Sequence, residues 1–262
     1  MILDEIVKHK KKEVAALKFH RPLALLKKAI LELPKKKPRF LAALKKGSEV
    51  AVIAEIKKKS PSRGLLRKDF EPQKIAKAYK AGGARALSVL TDEKYFGGSV
   101  MDLIEAQKAT GLPVLRKDFT VDEYQVYESR VLGADAILLV AAVLTAKTIK
   151  RFSDLAKRLG MDALVEVHTE RELKKVLPLR PPFLGINNRD LKSLHVDLSI
   201  TEKLAKLSPK KSFLVSESGI QSHKDLKFLK RLGVRAVLVG KSLMTQKDVK
   251  KALLCLRGAA GG

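Results

Sequence analysis

From residue 51 onward the chain repeats one pattern eight times: a short apolar run, then a longer stretch with helical periodicity. The runs fall at roughly 51–57, 85–91, 112–117, 135–140, 162–167, 182–187, 212–217 and 235–240. Between them, segments such as 71–81, 145–159 and 222–232 carry apolar residues at helical spacing with Lys or Arg outside. Three helical segments end in a glycine before the next run: Gly133, Gly160 and Gly233. Eight strands, each followed by a helix, are the count of a (β/α)8 barrel, and residues 47–257 have the usual size for one. A doubly wound open sheet is the alternative, but no Gly-x-Gly-x-x-Gly follows any strand to support it.

The first 46 residues have no strand candidate. Residues 2–18 read as an amphipathic helix with Ile2, Ile6, Val14 and Leu17 on one side and many lysines opposite, and a second helix runs from about Pro22 to Leu33. Pro34 and Pro38 break the pattern before a short helix at Phe40–Leu44. No linker divides the chain. The expectation is therefore an α/β protein of one domain over 1–262: an N-terminal helical extension (1–46), a TIM barrel (47–257) and a disordered tail (258–262).

Charge is the unusual total. Fifty-four Lys and Arg against 28 Asp and Glu give +26, an excess that attracts polyanions and favours salt-sensitive adsorption. The basic residues are spread over the helices, as at Lys10–Lys12, Lys27, Lys28, Lys174, Lys175, Lys250 and Lys251, and the chain has no Trp and 5% aromatics. A base-stacking platform is poorly supplied, so a solvated basic surface is favoured over a specific nucleic-acid site. The single cysteine, Cys255, excludes an internal disulfide, and no Cys/His cluster has zinc spacing. No apolar run reaches 18 residues and no signal-peptide core opens the chain. A cytoplasmic protein with no membrane partner is expected.

The strand ends carry the chemistry. Alternation along the first strand puts Glu55 and Lys57 on the face of Ile53. The same parity groups Lys117 with Leu115, Glu166 with Leu164, and Glu217 with Val215, while Asn187 ends its own strand. A buried charge is costly unless paired or used. In a (β/α)8 barrel the strand C-termini converge on one mouth. Five strands ending this way favour a reaction centre over scattered structural ion pairs. Burial lowers a lysine pKa and raises a carboxyl pKa, and opposite charges nearby work against both. Such a set can hold one proton donor and one acceptor near neutral pH. Gly219 and Gly240 directly follow the seventh and eighth strands, the usual phosphate position of such barrels. Gly240-Lys241-Ser242 is not a P-loop, because Arg235 stands where that motif needs glycine.

Ala54-Glu-Ile-Lys-Lys-Lys-Ser-Pro-Ser62 closely resembles the signature of the indole-3-glycerol phosphate synthase family. The likeness continues in order through Leu90–Gly98, Leu115–Phe119, Leu164–Val167, Gly185–Leu191, Ser216–Gly219 and Gly240–Met244. The resemblance implies ring closure, decarboxylation and dehydration of 1-(2-carboxyphenylamino)-1-deoxyribulose 5-phosphate, a phosphorylated small molecule, without cofactor or metal. By that pattern Lys117 is the general acid at the ribulose carbonyl and Glu166 serves the acid–base steps of dehydration. Lys57 contacts the substrate carboxylate and is an alternative acid, and Glu55 pairs with the lysines or acts as a base. Asn187, Glu217 and Ser218 bind hydroxyls, with Ser60 beside the carboxylate. Gly219, Gly240 and Lys241, with Arg189 nearby, form the phosphate site, and Phe96, Phe119, Leu138 and Leu191 the pocket for the aromatic ring. Two positions depart from the pattern, Lys241 and Asn188. The Lys241 contact could be side chain, backbone or solvent, and the role of Asn188 stays open.

A rival barrel, phosphoribosylanthranilate isomerase, needs a cysteine or comparable base ending its first strand, where Glu55 and Lys57 stand, and the N-terminal helices do not fit it either. A nucleic-acid-binding protein on an idle barrel is the rival from another class, but it has no use for six polar strand ends. The expected association state is a monomer or a weak homodimer.

Overall fold

The computed structural model describes residues 2–190 and 193–259. Among these, eight parallel strands close a barrel in sequence order: β1 (Ala51–Ile56), β2 (Ala86–Leu90), β3 (Val114–Lys117), β4 (Ala136–Val140), β5 (Asp162–Val167), β6 (Phe183–Asn187), β7 (Phe213–Glu217) and β8 (Ala236–Val239). β1 pairs with both β2 and β8, so no edge strand is left open. At least one helix follows each strand, and several start at a side-chain cap. Asp122 and Ser222 form capping boxes with Gln125 and Asp225, and Thr145 accepts from the Thr148 N–H.

Two apolar layers follow from the strand parity. Val52, Ala54 and Ile56 face outward to the helices, where Ile149, Phe152 and Leu155 of the 146–158 helix join the same layer. Ile53, Leu115, Leu138, Leu164, Val215 and Leu238 fill the interior. The next inward position on several of these strands belongs to the site.

The N-terminal extension is not a side layer; it closes both ends of the barrel. α1 (Ile2–His20) brings Ile2, Leu3 and Ile6 onto the C-terminal mouth. α2 (Leu23–Glu32) packs Leu26 with Tyr124, whose hydroxyl donates to the Arg21 carbonyl at 3.0 Å. α3 (Phe40–Leu44) plugs the N-terminal end, with the Phe40 ring 5.9 Å from Phe183. Each such fully buried side chain contributes roughly 1.5–3 kcal/mol. Asp135, fully buried at that end, takes Lys36 at 2.8 Å and Arg39 at 2.7 Å.

After β1 a turn at 61–63 is flanked by a small antiparallel hairpin, Lys59–Ser60 against Gly64–Leu65. Two expectations need correction. The tail begins as an ordered cap, with Gly258 at φ 74° and the Ala259 N–H donating to the Leu254 carbonyl; residues 260–262 lie outside the described residues. Lys10 is not a solvated lysine. It is wholly buried, with its ammonium 3.1 Å from Asp92, 3.0 Å from Asp118 and 3.0 Å from Glu13.

Candidate active site

β3 ends in Lys117, β5 carries Glu166 and β7 ends in Glu217, all on inward positions above the apolar interior. The Lys117 ammonium bridges the two carboxylates at 2.7 Å each. On the far side Lys57 pairs with Glu55. Asn187 at the end of β6 donates to Glu166 Oε1 at 3.3 Å, and its own Oδ1 accepts from the Arg189 N–H. The six polar strand-end residues therefore meet around one mouth and line one cavity of about 670 Å³, within the usual range for a small-molecule site.

Two glycines make room for these groups. A Cβ at Gly185 would collide with the Glu217 carboxylate, and one at Gly240 with that of Glu55. Gly240 thus has a packing reason beyond the anion-binding one read from its position.

The charges divide the roles. Burial alone would lower the Lys117 pKa, but Glu166, Glu217 and Glu55 outweigh it and raise it, so the group remains an ammonium. Burial likewise opposes ionisation of Glu166, yet Lys117 and Asn187 hold its pKa below the usual carboxylate range. Burial pushes the Glu217 carboxyl up to about 8; Lys117 offsets part of this and the facing Glu166 charge adds to it. The triad thus sets a lysine favoured as ammonium between a carboxyl held down and a carboxyl pushed up, an arrangement suited to proton donation and acceptance.

The raised Glu217 pKa has a consequence for stability. The folded protein keeps this proton where the unfolded chain has lost it, so the contribution is full below the ordinary carboxyl range and is lost as pH rises through about 8. Glu217→Gln is expected to gain in melting temperature over the parent as pH rises from 6 to 8.5. An identical difference at both values would assign Glu217 an ordinary pKa.

The remaining expected residues divide by place. Phe96 and Phe119 stand with ring centroids 6.4 Å apart on one wall, and Leu138 lines the same cavity from the interior. Ser60, Ser218, Gly219, Arg189 and Lys241 also line it; Leu191 lies outside the described residues. The Arg189 guanidinium donates to the Leu194 carbonyl at 2.9 Å. Burial lowers its pKa and Arg63 lowers it further, while Lys241 is lowered by burial and by the charges of both arginines. Arg63, Arg189 and Lys241 therefore form a cationic corner whose mutual repulsion an anion would relieve.

Sequence reasoning missed Arg63, since it follows Ser-Pro-Ser in what reads as a plain turn. It also missed Ile2, Leu3 and Ile6, which line the cavity from α1. Helical periodicity had marked Ile2 and Ile6 as apolar without saying what they cover. No helix among the described residues is long and apolar enough to cross a membrane, and none of their His, Cys, Asp and Glu groups is arranged to hold a metal ion.

Among solved structures, an N-acetylmannosamine-6-phosphate 2-epimerase from Clostridium perfringens aligns with a TM-score of 0.57 at 20% identity, over 77% of this chain and 90% of that one. A thiamine phosphate pyrophosphorylase from Pyrococcus furiosus aligns equally well at 15% identity, over 80% of this chain and 95% of that one. These establish the barrel alone. In sequence, the indole-3-glycerol phosphate synthase of Legionella pneumophila (strain Paris) is 47% identical over 252 residues, covering 96% of each chain. That of Acetivibrio thermocellus is 44% identical over 257 residues, covering 97% of this chain and 98% of its own. With the family pattern itself matched over residues 3–256, the chain belongs to the indole-3-glycerol phosphate synthase family.

Proposed function

We propose that this protein converts 1-(2-carboxyphenylamino)-1-deoxyribulose 5-phosphate to indole-3-glycerol phosphate, with release of CO2 and water. The observation that carries the assignment of roles is the Lys117 ammonium 2.7 Å from both Glu166 and Glu217 above an apolar barrel interior, with Lys117 holding the Glu166 carboxyl down and burial pushing that of Glu217 up.

The ring carbon that bears the carboxylate bonds to the ketone carbon, and the ketone oxygen takes a proton from Lys117. CO2 leaves, and its bonding pair restores the aromatic ring. The new hydroxyl then departs as water after protonation by Lys117 or Lys57. Glu166, beside the developing iminium, stabilises its charge and accepts the methylene proton, whose bonding pair becomes the double bond that completes the indole. Lys57, held by Glu55, meets the substrate carboxylate with Ser60 alongside. Asn187, Glu217 and Ser218 receive the hydroxyls. Phe96, Phe119 and Leu138 hold the aromatic ring; Leu191, the fourth residue expected there, lies outside the described residues. The phosphate sits by Gly219 and Gly240, with Arg189 and Lys241 supplying charge. The protein acts as a monomer or weak homodimer in the cytoplasm.

The test is indole fluorescence from purified protein with this substrate. Turnover should appear without added metal and survive EDTA, and Glu166→Gln should lower kcat by about 10²-fold, the scale of a lost general base. Near-normal turnover in that variant would remove Glu166 from the acid–base steps.

A further inference from the structure

Ser218 is the first residue of β7's following loop and is held at φ 67°, a left-handed conformation unusual for a residue with a side chain. Both it and Gly219, at φ 83°, line the cavity where the phosphate is placed. Something must hold Ser218 there, because the strand ladder stops before it. Glu217 is still in register with Asn187 on β6 and Leu238 on β8, and Ser218 pairs with neither.

Beneath this turn lies Asn188, 1% exposed. Its Nδ2 donates to the Ser216 hydroxyl at 2.9 Å and to the Glu217 and Ser218 carbonyls at 3.0 Å each. Its Oδ1 accepts from the Thr201 N–H at 3.1 Å and from the Thr201 hydroxyl at 2.7 Å. The partners fix the amide orientation: backbone carbonyls can only accept, and the Thr201 N–H can only donate. Thr201 spends its hydroxyl proton on Asn188, so the Ser216 hydroxyl donates to Thr201 at 2.8 Å. The three side chains close a hydrogen-bonded ring of one sense, all of it buried. Asn188 also carries the backbone link across the same seam: its N–H donates to the Glu217 carbonyl and its carbonyl accepts from Asp197.

We infer that Asn188 is a positioning residue for phosphate binding, whose amide holds the Ser218–Gly219 turn in its left-handed form without touching substrate. The inference rests on the phosphate location given above. It predicts an effect on binding and little on chemistry, because Glu217 is kept in place by the sheet.

The test uses the full chain with three readouts: steady-state kinetics, the rise in melting temperature caused by inorganic phosphate over chloride, and circular dichroism. Asn188→Asp keeps the shape but sets a carboxylate against the two carbonyls. It is expected to raise KM about 10-fold, to hold kcat within about threefold, and to abolish the phosphate-induced rise. In a Ser218→Gly background, where the turn costs no left-handed penalty, the same replacement should raise KM by less than about threefold. Thr201→Val, which breaks the ring without adding charge, should raise KM in the same direction if Asn188→Asp does not fold. A lower melting temperature with unchanged KM, or equal factors in both backgrounds, would leave Asn188 as packing only. If the parent shows neither turnover nor a phosphate-induced rise, the phosphate location fails and this inference with it. Turnover with the rise intact in Asn188→Asp overturns the inference alone.

Discussion

Lys117→Ala is expected to lower kcat about 10³-fold, which is about 4 kcal/mol of lost transition-state stabilisation. Two losses combine in that figure. The ketone oxygen loses its proton donor, and Glu166 loses the charge that keeps it ionised. With the ammonium gone, Glu166 and Glu217 face one another in a buried site with burial opposing both charges. The pair then binds protons more tightly. Glu166 is less available as the base of dehydration even though its side chain is intact. The variant's kcat should therefore recover partly as pH is raised, opposite to a simple loss of a general acid. KM should move much less, because the cationic corner at Arg63, Arg189 and Lys241 is untouched. Steady-state fluorescence kinetics between pH 6 and 9 test both points. A fall of less than about tenfold in kcat would transfer the acid to Lys57, whose ammonium pairs with Glu55 across the mouth.

Most of the barrel was legible because its strands are buried on both faces. The apolar runs set their positions to within two residues at the ends, and parity then placed Glu55, Lys117, Glu166 and Glu217 inside. Periodicity carries such information when one face of an element meets one environment. It fails where an element meets two. Lys10 lies in a helix crowded with lysines, and nothing in its spacing separates it from Lys11 or Lys12, which are exposed. Its partners Asp92 and Asp118 come from two loops more than 80 residues away in the chain. Arg63 escaped, and the role of Asn188 stayed open, for a related reason. Each acts with groups distant in the chain, and local sequence describes only the turn in which they sit. Proton location was half legible: two lysines among three carboxylates implied a donor and an acceptor, but only the folded surroundings separate Glu166, held down by Lys117 and Asn187, from Glu217, pushed up by burial and by the Glu166 charge.

The second large effect is expected away from the reacting groups. Lys10→Met should destabilise the fold by about 3–5 kcal/mol, the scale for removing one partner of a buried ion pair. Methionine nearly fills the lysine stem, so the loss is electrostatic and no large cavity is made. The ammonium compensates Asp92 and Asp118, both almost fully buried, as well as Glu13 on its own helix. Arg116 offers Asp118 a second cation only at 3.4 Å, and it already gives its shorter contact, 2.6 Å, to Glu128. Burial would raise the Asp118 pKa, but Arg116 and Lys10 together depress it. A depressed carboxyl stabilises the fold above its unfolded pKa, and that contribution is lost as pH falls through the folded value. Without Lys10 the depression shrinks, so acid unfolding should begin at a higher pH than in the parent. Urea midpoints at pH 7 and pH 5 measure both effects. The same cluster also bears on the site. Asp92 caps the short 93–96 helix that carries Phe96, and Asp118 accepts from the Phe119 N–H at 2.8 Å, so Lys10 ties α1 to the segments that carry both rings of the aromatic wall. KM should rise in Lys10→Met at temperatures where the variant is still folded. A stability loss below about 1 kcal/mol, the worth of an exposed pair, would mean that water reaches these carboxylates and that α1 is not clamped onto the barrel mouth.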